Sequence, residues 1–175
     1  DLYGPYAERL SKCEFVDEGK RDAYAYDAKL SALNRVGTKA ADFRFEDKNG
    51  IVRRLYDIKA DFTVLFFSNP GCEACKEIIL SLKEMPQVDK MIAARKIAVL
   101  NIYIDEDLEA WRSYMPIYPE NWYNGFDPDF VIRMDQLYNV RAIPSLYLLD
   151  KDKTVIMKDA VTGNVIDFLN RFVAL

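Results

Sequence analysis

The first chemically informative feature of the sequence is a pair of cysteines, Cys72 and Cys75, separated by two residues. The pair follows a continuous apolar run and opens a segment with helical spacing, so it falls at a strand-to-helix junction. Unpaired N–H groups and partial positive charge at a helix start favour a thiolate over a thiol. Because the thiolate is the nucleophile, we expect Cys72 to attack a disulfide and the more buried Cys75 to resolve the mixed disulfide.

The same cysteine spacing also occurs in metal sites and in structural disulfides. A structural zinc site takes four Cys or His ligands, whereas this chain has three Cys and no His. The residue after Cys75 is Lys76, not the His that c-type haem attachment requires, and an iron–sulfur cluster would also lack ligands. We therefore expect no metal and no cofactor other than a redox-active Cys72–Cys75 disulfide, with a static disulfide as the alternative.

A second feature lies downstream, where Pro144 opens the apolar run Ser145–Leu149. A proline at the start of a buried strand is compatible with a cis peptide bond. Beside a dithiol, such a proline leaves the backbone of the preceding residue, Ile143, free to pair with an extended peptide. An ordinary trans proline is the alternative. We expect a substrate to contact Gly71, Glu73, Ile143 and Pro144.

The elements that must position these residues follow from the periodicity of the chain. Residues 1–36 are predicted to form a helical N-terminal extension, with Ala23, Tyr26 and Leu30 near one face and Gly37 ending its second helix. In residues 37–175 strands alternate with helices, which indicates an α/β layered domain. Strands are predicted at 62–67, 97–104, 145–149 and 154–157, with a hairpin at 49–50, helices at 72–85, 108–114, 135–140 and 162–173, and a long aromatic loop at 115–130.

The composition excludes several classes of protein. Hydrophobic residues make up 50% of the 175 residues and charged residues 30%, which is typical of a globular domain. The net charge of −4 provides no basic face for nucleic acid. No apolar run approaches the ~20 residues that a transmembrane helix needs. Because the chain begins at Asp1, we interpret it as a processed or trimmed product, so that any membrane contact would require an upstream anchor.

Several motifs occur in the order typical of one family, over about residues 36 to 175. They are Val36–Phe43, Asn49–Gly50, Leu55–Ala60, Val64–Phe67, Cys72–Cys75 and Ile143–Asp150. Together they resemble the TlpA-like branch of the thioredoxin superfamily, the bacterial envelope thiol–disulfide oxidoreductases. The resemblance implies a thioredoxin-like α/β fold, in which a central mixed sheet is flanked by helices. It also implies an active Cys pair at a helix N-terminus and a cis proline that faces it.

The resemblance further implies how the protein acts and where. Its substrates would be protein or peptide dithiols and disulfides, and an unidentified redox partner would return the cysteine pair to its starting redox state. It would act as a reductant or isomerase in the bacterial envelope, in the periplasm. The alternatives are a non-catalytic peptide-binding module and, less favoured, a thiol peroxidase. Before the peroxidatic Cys, peroxiredoxins carry Pro and Thr where this chain has Leu65 and Asn69 before Cys72.

The sequence departs from the family pattern at three positions around the motif. Phe66 stands where thioredoxin has a buried Asp, Gly71 where an aromatic residue is usual, and Ile78 where some envelope members have Glu. No carboxylate that could accept the proton of Cys75 is therefore identified at these positions. Inside the motif, the Glu73 carboxylate disfavours a thiolate, so we expect a pair more reducing than the strong periplasmic oxidants.

Three further features have structural interpretations. We expect Cys13 to be a buried small hydrophobic residue, with an exposed regulatory thiol as the alternative. The aromatic group in residues 111–126 is expected to cover the edge of the sheet, with a substrate-facing lip as the alternative. The acidic run 105–107 is expected to cap the next helix and not to bind Mg²⁺ or Ca²⁺.

Overall fold

The structure, a computed structural model, describes residues 3–173, and the side chains of residues 3–171. This part of the chain contains a seven-stranded mixed sheet and six α-helices. The strands are β1 (Arg44–Asp47), β2 (Val52–Arg54), β3 (Phe62–Phe67), β4 (Ile97–Tyr103), β5 (Tyr123–Phe126), β6 (Ser145–Asp150) and β7 (Val155–Met157). The helices are α1 (Tyr3–Ser11), α2 (Glu18–Ala32), α3 (Glu73–Lys83), α4 (Pro86–Ala93), α5 (Leu108–Tyr114) and α6 (Thr162–Val173).

The sheet has the order β2-β1-β5-β4-β3-β6-β7, which places the two most apolar strands at its centre. All seven residues of β4 and five of the six residues of β3 are buried, as expected for strands covered on both faces. Strand β3 runs parallel to β4 and antiparallel to β6. In the β3–β6 register Phe67 lies opposite Ser145, so the end of β3 and the start of β6 meet at one edge of the sheet.

Side chains alternate between the two faces of β3, and a separate core lies on each face. On one face Val64 and Phe66 pack with residues of α3, α4, α5 and α6. On the other face Leu65 and Phe67 pack with Phe43 and two buried tyrosines and are covered mainly by loops. This arrangement confirms the predicted α/β fold with a mixed sheet flanked by helices.

The two buried tyrosines, Tyr138 and Tyr147, differ in how their hydroxyl groups are satisfied. Their rings lie edge to face with centroids 5.5 Å apart. The hydroxyl of Tyr138 donates to the Ala41 carbonyl at 2.6 Å. The hydroxyl of Tyr147 has no hydrogen-bond partner among the residues that the structure describes. Burial raises the pKa of both side chains, so both remain protonated at neutral pH.

The segment predicted as one long aromatic loop contains the strand β5, so that prediction is wrong in part. The pattern concealed the strand because its central residues are Asn124 and Gly125, which are typical of turns. Glycine is needed there because a Cβ at position 125 would lie 2.8 Å from the Glu46 carbonyl oxygen of the neighbouring strand β1. The aromatic residues themselves are mostly core: Trp111, Tyr118, Trp122 and Phe126 are buried, Tyr114 is half-buried and Tyr123 is exposed.

Residues 135–140 form an irregular segment with bends and not the predicted short helix. Gln136 has a φ of 52°, in the left-handed region, which interrupts a helix. Hydrogen bonds from outside the segment fix this irregular backbone, including one from Asn34 Nδ2 to the Leu137 carbonyl at 2.9 Å. Helix α4, which begins at Pro86, was not predicted, although proline at the first position of a helix is favourable.

The N-terminal segment is helical, as predicted, but its buried face was predicted wrongly. Ala23 and Tyr26 are exposed, whereas Ser31 at the end of α2 is buried. The helix ends at Ala32, so Gly37 does not cap it; the Gly37 N–H instead donates to Val155 in β7. The domain boundary between residues 36 and 37 stays a prediction. Within residues 3–173, no helix has both the length and the apolar character needed to cross a bilayer.

Candidate active site

The cysteine pair lies where β3 feeds into α3, at the edge of the sheet where β6 begins. Cys72 is the N-cap of α3, and its Sγ accepts a hydrogen bond from the Cys75 N–H at 3.2 Å. The two residues form a disulfide, with Cα atoms 5.2 Å apart. Cys72 is partly exposed, whereas Cys75 is 1% exposed and belongs to the core. One sulfur is therefore accessible to another molecule and the other is shielded behind it.

The local sequence explains why the pair is presented in this way. Three apolar side chains of α3, Ile78, Ile79 and Leu82, are buried and anchor the helix to the sheet. Gly71 has a φ of +73°, a conformation that favours glycine over the aromatic residue usual at this position. A Cβ at Gly71 would have no neighbour within 4 Å other than the adjoining residues, so the surface beside Gly71 is open.

The residues predicted to contact substrate are found around this edge. Gly71 and Glu73 are exposed, while Ile143 and Pro144 are half-buried. The Ile143–Pro144 peptide bond is cis. Pro144 directly precedes Ser145, which pairs with the last residue of β3, so the proline and the cysteine loop lie at the same edge of the sheet. Binding of a substrate by these four residues stays a prediction.

Buried polar residues near the end of β3 were not predicted. Phe66 is fully buried, and next to it in the β3–β4 register lies Asn101, which is 1% exposed. Ser68 Oγ donates to Asn101 Oδ1 at 2.5 Å, and Asn101 Nδ2 donates to Asn124 Oδ1 at 3.1 Å. Serine and asparagine side chains do not ionise near neutral pH, so they do not replace a buried acid. The signal for them was a single Asn inside the otherwise apolar strand β4.

The acidic run after β4 has the structural role that the sequence predicts. Asp107 is the N-cap of α5 and accepts a hydrogen bond from the Ala110 N–H at 3.0 Å. Asp105 instead contacts Arg133 and accepts a hydrogen bond from Asn69 Nδ2. Among residues 3–173 there is no cluster of three or more Cys, Asp or Glu side chains able to hold a metal ion. Cys13, expected to be buried, is half-exposed because it lies in the peripheral turn between α1 and α2.

Two grooves in the described part of the chain lie toward opposite edges of the sheet. The smaller, of about 300 Å³, adjoins the cysteine loop and is lined by residues that include Asn69, Asp105 and Ile143. The larger, of about 990 Å³, is lined by residues that include Ile97 and Ala98, at the start of β4. Since β3 and β4 are parallel and Cys72 follows the end of β3, the larger groove lies toward the opposite edge of the sheet.

Comparison with known proteins identifies the family. A family model described as thioredoxin-like matches residues 60–155, more than half of the chain. The structure is similar to a thioredoxin-like protein from Bacteroides caccae, with 39% identity, a TM-score of 0.94 and coverage of 97% of this chain and 61% of that one. The chain thus spans less than two thirds of the length of that protein. A search of curated proteins found no match.

Two further solved structures are similar over nearly their whole length. One is the C-terminal domain of a protein from Bacteroides fragilis, with 45% identity, a TM-score of 0.75 and coverage of 78% of this chain and 98% of that one. The other is a domain of a possible thiol-disulfide isomerase from Cytophaga hutchinsonii, with 30% identity, a TM-score of 0.68 and coverage of 82% and 96%. With the fold and the position of the cysteine pair, these matches show that the chain belongs to the thioredoxin-like family.

Proposed function

We propose that this chain is a thiol–disulfide oxidoreductase whose redox pair is Cys72 and Cys75. The observation that carries the proposal is the unequal placement of the two sulfurs. Cys72 is partly exposed at the N-terminus of α3, and Cys75 is 1% exposed one turn further along. An attacking sulfur must be accessible to a substrate, whereas a resolving sulfur needs to reach only its partner.

In the reducing direction the cycle starts from the dithiol. The Cys72 thiolate attacks one sulfur of a substrate disulfide, and the other substrate sulfur leaves as a thiolate. The Cys75 thiolate then attacks Cys72 Sγ, which expels the second substrate thiolate and forms the Cys72–Cys75 disulfide. The substrate gains two electrons and takes up protons from solvent. A redox partner must return two electrons to the pair, and no metal or organic cofactor is required.

We infer that the natural substrates are protein or peptide disulfides in the bacterial envelope, and that the chain acts there as a reductant or isomerase in the periplasm. The Glu73 side chain supports this direction because it is 77% exposed and its negative charge disfavours the Cys72 thiolate. Lys76, whose Nζ lies 3.5 Å from the Glu73 carboxylate, offsets that charge in part. Similarity to the Cytophaga hutchinsonii protein described as a possible thiol-disulfide isomerase also supports the proposal.

The substrate would lie across Gly71, Glu73, Ile143 and Pro144. The space beside Gly71, the residue before Cys72, is open, and Ile143 lies at the same edge of the sheet, shortly before the first residue of β6. An extended peptide placed there can pair with the backbone of Ile143 while its disulfide faces Cys72. Glu73 would contact the substrate from the exposed side of the first turn of α3.

An insulin-reduction assay tests the proposed function. The wild-type protein should accelerate the reduction of insulin by a dithiol, and Cys72→Ser should abolish the acceleration. Cys13→Ser is the matched control, since it removes a cysteine outside the motif and should keep the activity. Cys75→Ser should accumulate a mixed disulfide that identifies the natural partner by mass spectrometry.

Other outcomes of the same experiments would support the alternatives. Wild-type protein that binds peptides without turnover would be a peptide-binding module with a static disulfide. Consumption of peroxide without reduction of insulin would indicate a thiol peroxidase. A reduction potential near −120 mV, the value of a strong periplasmic oxidant, would refute the inferred reducing direction.

A further inference from the structure

The smaller groove lies directly beside the proposed reaction centre. Its lining includes Asn69, three residues before Cys72, and Asp105, which follows β4. Most of its other lining residues lie in the segment 132–143, which immediately precedes Pro144. A peptide held between Cys72 and Pro144 therefore has this groove next to it. The volume of about 300 Å³ is enough for one or two side chains of such a peptide.

Two carboxamides line the groove, and one of them has a buried oxygen without a hydrogen-bond partner in the described part of the chain. Asn139 is 9% exposed and forms no side-chain hydrogen bond within residues 3–173, but its amide atoms keep some access to solvent. Asn69 donates from Nδ2 to the Asp105 carboxylate, which can only accept, so its orientation is fixed. Its Oδ1 is buried and has no partner in the same part of the chain. A buried amide oxygen without a partner, and a second carboxamide that is free to form hydrogen bonds, favour a ligand that supplies N–H and C=O groups, as a peptide backbone does.

The charges that line the groove do not cancel. Arg133 contacts Asp105, so these two charges compensate each other. Arg141, on the same wall, has no carboxylate partner among the described residues. Its guanidinium donates to Ser31 Oγ at 3.2 Å and lies 5.2 Å from the centre of the Tyr3 ring. These contacts with α1 and α2 restrict the side chain without neutralising it, so a residue that lines the groove carries a positive charge that no carboxylate of the described residues compensates.

We propose that this groove is a specificity site that binds an acidic side chain of the substrate, close to the cysteine that Cys72 attacks. Arg141 supplies the counter-charge, and Asn69 and Asn139 pair with the substrate backbone. The N-terminal helices hold Arg141 in position and are therefore part of the specificity site. This inference rests on the proposed function and deepens it, because it gives the substrate class as disulfides flanked by Asp or Glu.

Two peptide disulfides of equal length test the proposal. They differ only in one residue beside the cysteine, Glu in one and Gln in the other. The wild-type protein should favour the Glu peptide in kcat/KM by about fivefold at low salt, the order expected for a partly exposed ion pair. The preference should fall as salt is added, because screening weakens such a pair.

The variant Arg141→Gln should bring the ratio of the two kcat/KM values to about one, and Arg141→Lys should restore part of the preference. Arg95→Gln is the matched control, since it removes the same charge from the other groove, toward the opposite edge of the sheet. It should keep the full preference. A wild-type ratio near one, or a ratio that Arg141→Gln leaves unchanged, overturns the proposal.

A binding measurement separates failure of this proposal from failure of the proposed function. The same two peptides, with the target cysteine replaced by Ser, are titrated against the oxidised protein and their Kd values are compared. Tighter binding of the Glu peptide that depends on Arg141 supports the groove even if neither disulfide is turned over. Turnover of both disulfides without discrimination in Kd or kcat/KM retains the oxidoreductase and overturns the groove.

Discussion

Reduction of the Cys72–Cys75 disulfide should lower the free energy of unfolding by about 1–2 kcal/mol. The prediction concerns the whole protein, because the relative stabilities of the oxidised and reduced forms are linked to the reduction potential of the pair. A strong oxidant is more stable when reduced. For the reducing pair inferred from Glu73, we expect the opposite sign.

The magnitude follows from the length of the closed loop and the position of Cys72. The disulfide joins residues three apart in sequence, a loop of four residues, whose chain-entropy contribution is about 2 kcal/mol in favour of the oxidised form. In the reduced form, a Cys72 thiolate at the N-terminus of α3 would gain about 0.3–1 kcal/mol from the helix dipole. The exposed carboxylate of Glu73 reduces that gain, so a difference of about 1–2 kcal/mol in favour of the oxidised form remains.

Urea unfolding of both forms, followed by far-UV circular dichroism, provides the measurement. The reduced samples contain a dithiol reductant, and thiol titration establishes the redox state of each sample. Cys72→Ser is the control, because it has no disulfide and the reductant should leave its unfolding curve unchanged. The m-values of the two wild-type forms should be similar if the denatured states expose similar surface.

A reduced form that is more stable than the oxidised form would refute this reasoning. It would mean that the thiolate gains more from its surroundings than loop closure contributes. The pair would then be an oxidant despite Glu73. Glu73→Gln should increase the relative stability of the reduced form, because it removes the charge that opposes the thiolate.

Three other predictions test the packing and the electrostatics by equilibrium unfolding. Gly125→Ala should lower the free energy of unfolding by about 3 kcal/mol, because its Cβ would lie 2.8 Å from the backbone of β1. Gly163→Ala is the control, because a Cβ at that position has open space around it and should not lower the free energy of unfolding. Tyr147→Phe should raise the free energy of unfolding by about 1 kcal/mol, because it removes an unpaired buried hydroxyl. Tyr138→Phe should lower it by a similar amount, because it removes a hydrogen bond. A change in the same direction for both variants would contradict the hydroxyl assignments. Burial raises the pKa of Asp150, but hydrogen bonds from Thr154 and Asp152 outweigh it and hold the pKa below 3.8. Since this carboxylate stabilises the fold above pH 3.8 and loses that effect as the pH falls through its folded pKa, Asp150→Asn should flatten the acid side of the stability profile.

Local sequence was sufficient for the elements that carry the cysteine pair. The run Phe62–Phe67 is apolar at every position except Thr63, so it predicted a central strand, which the structure confirms. The helical spacing after Cys72 predicted α3, and the apolar residues at that spacing predicted that Cys75 would be buried. Such signals are local, because periodicity and capping depend on residues within a few positions of one another.

Sequence reasoning failed where distant residues determine the backbone. Strand β5 contains turn-like residues, and it is a strand because it pairs with β4 and β1. Residues 135–140 have a short helical pattern, but contacts such as that from Asn34 hold them in an irregular loop. In both places long-range pairing outweighs weak local preference.

The sequence by itself determined the chemical identity of the site: two cysteines at the start of a helix, no histidine, and Glu73 between them. Only the tertiary structure decided what surrounds the pair. It placed uncharged Asn101 beside Phe66, and it joined Asn69, Asn139 and Arg141 into one groove. Asn69 is far in the chain from Asn139 and Arg141, and the three residues carry no common pattern. They meet because the β3–β6 register and the N-terminal helices bring their segments to one edge of the sheet.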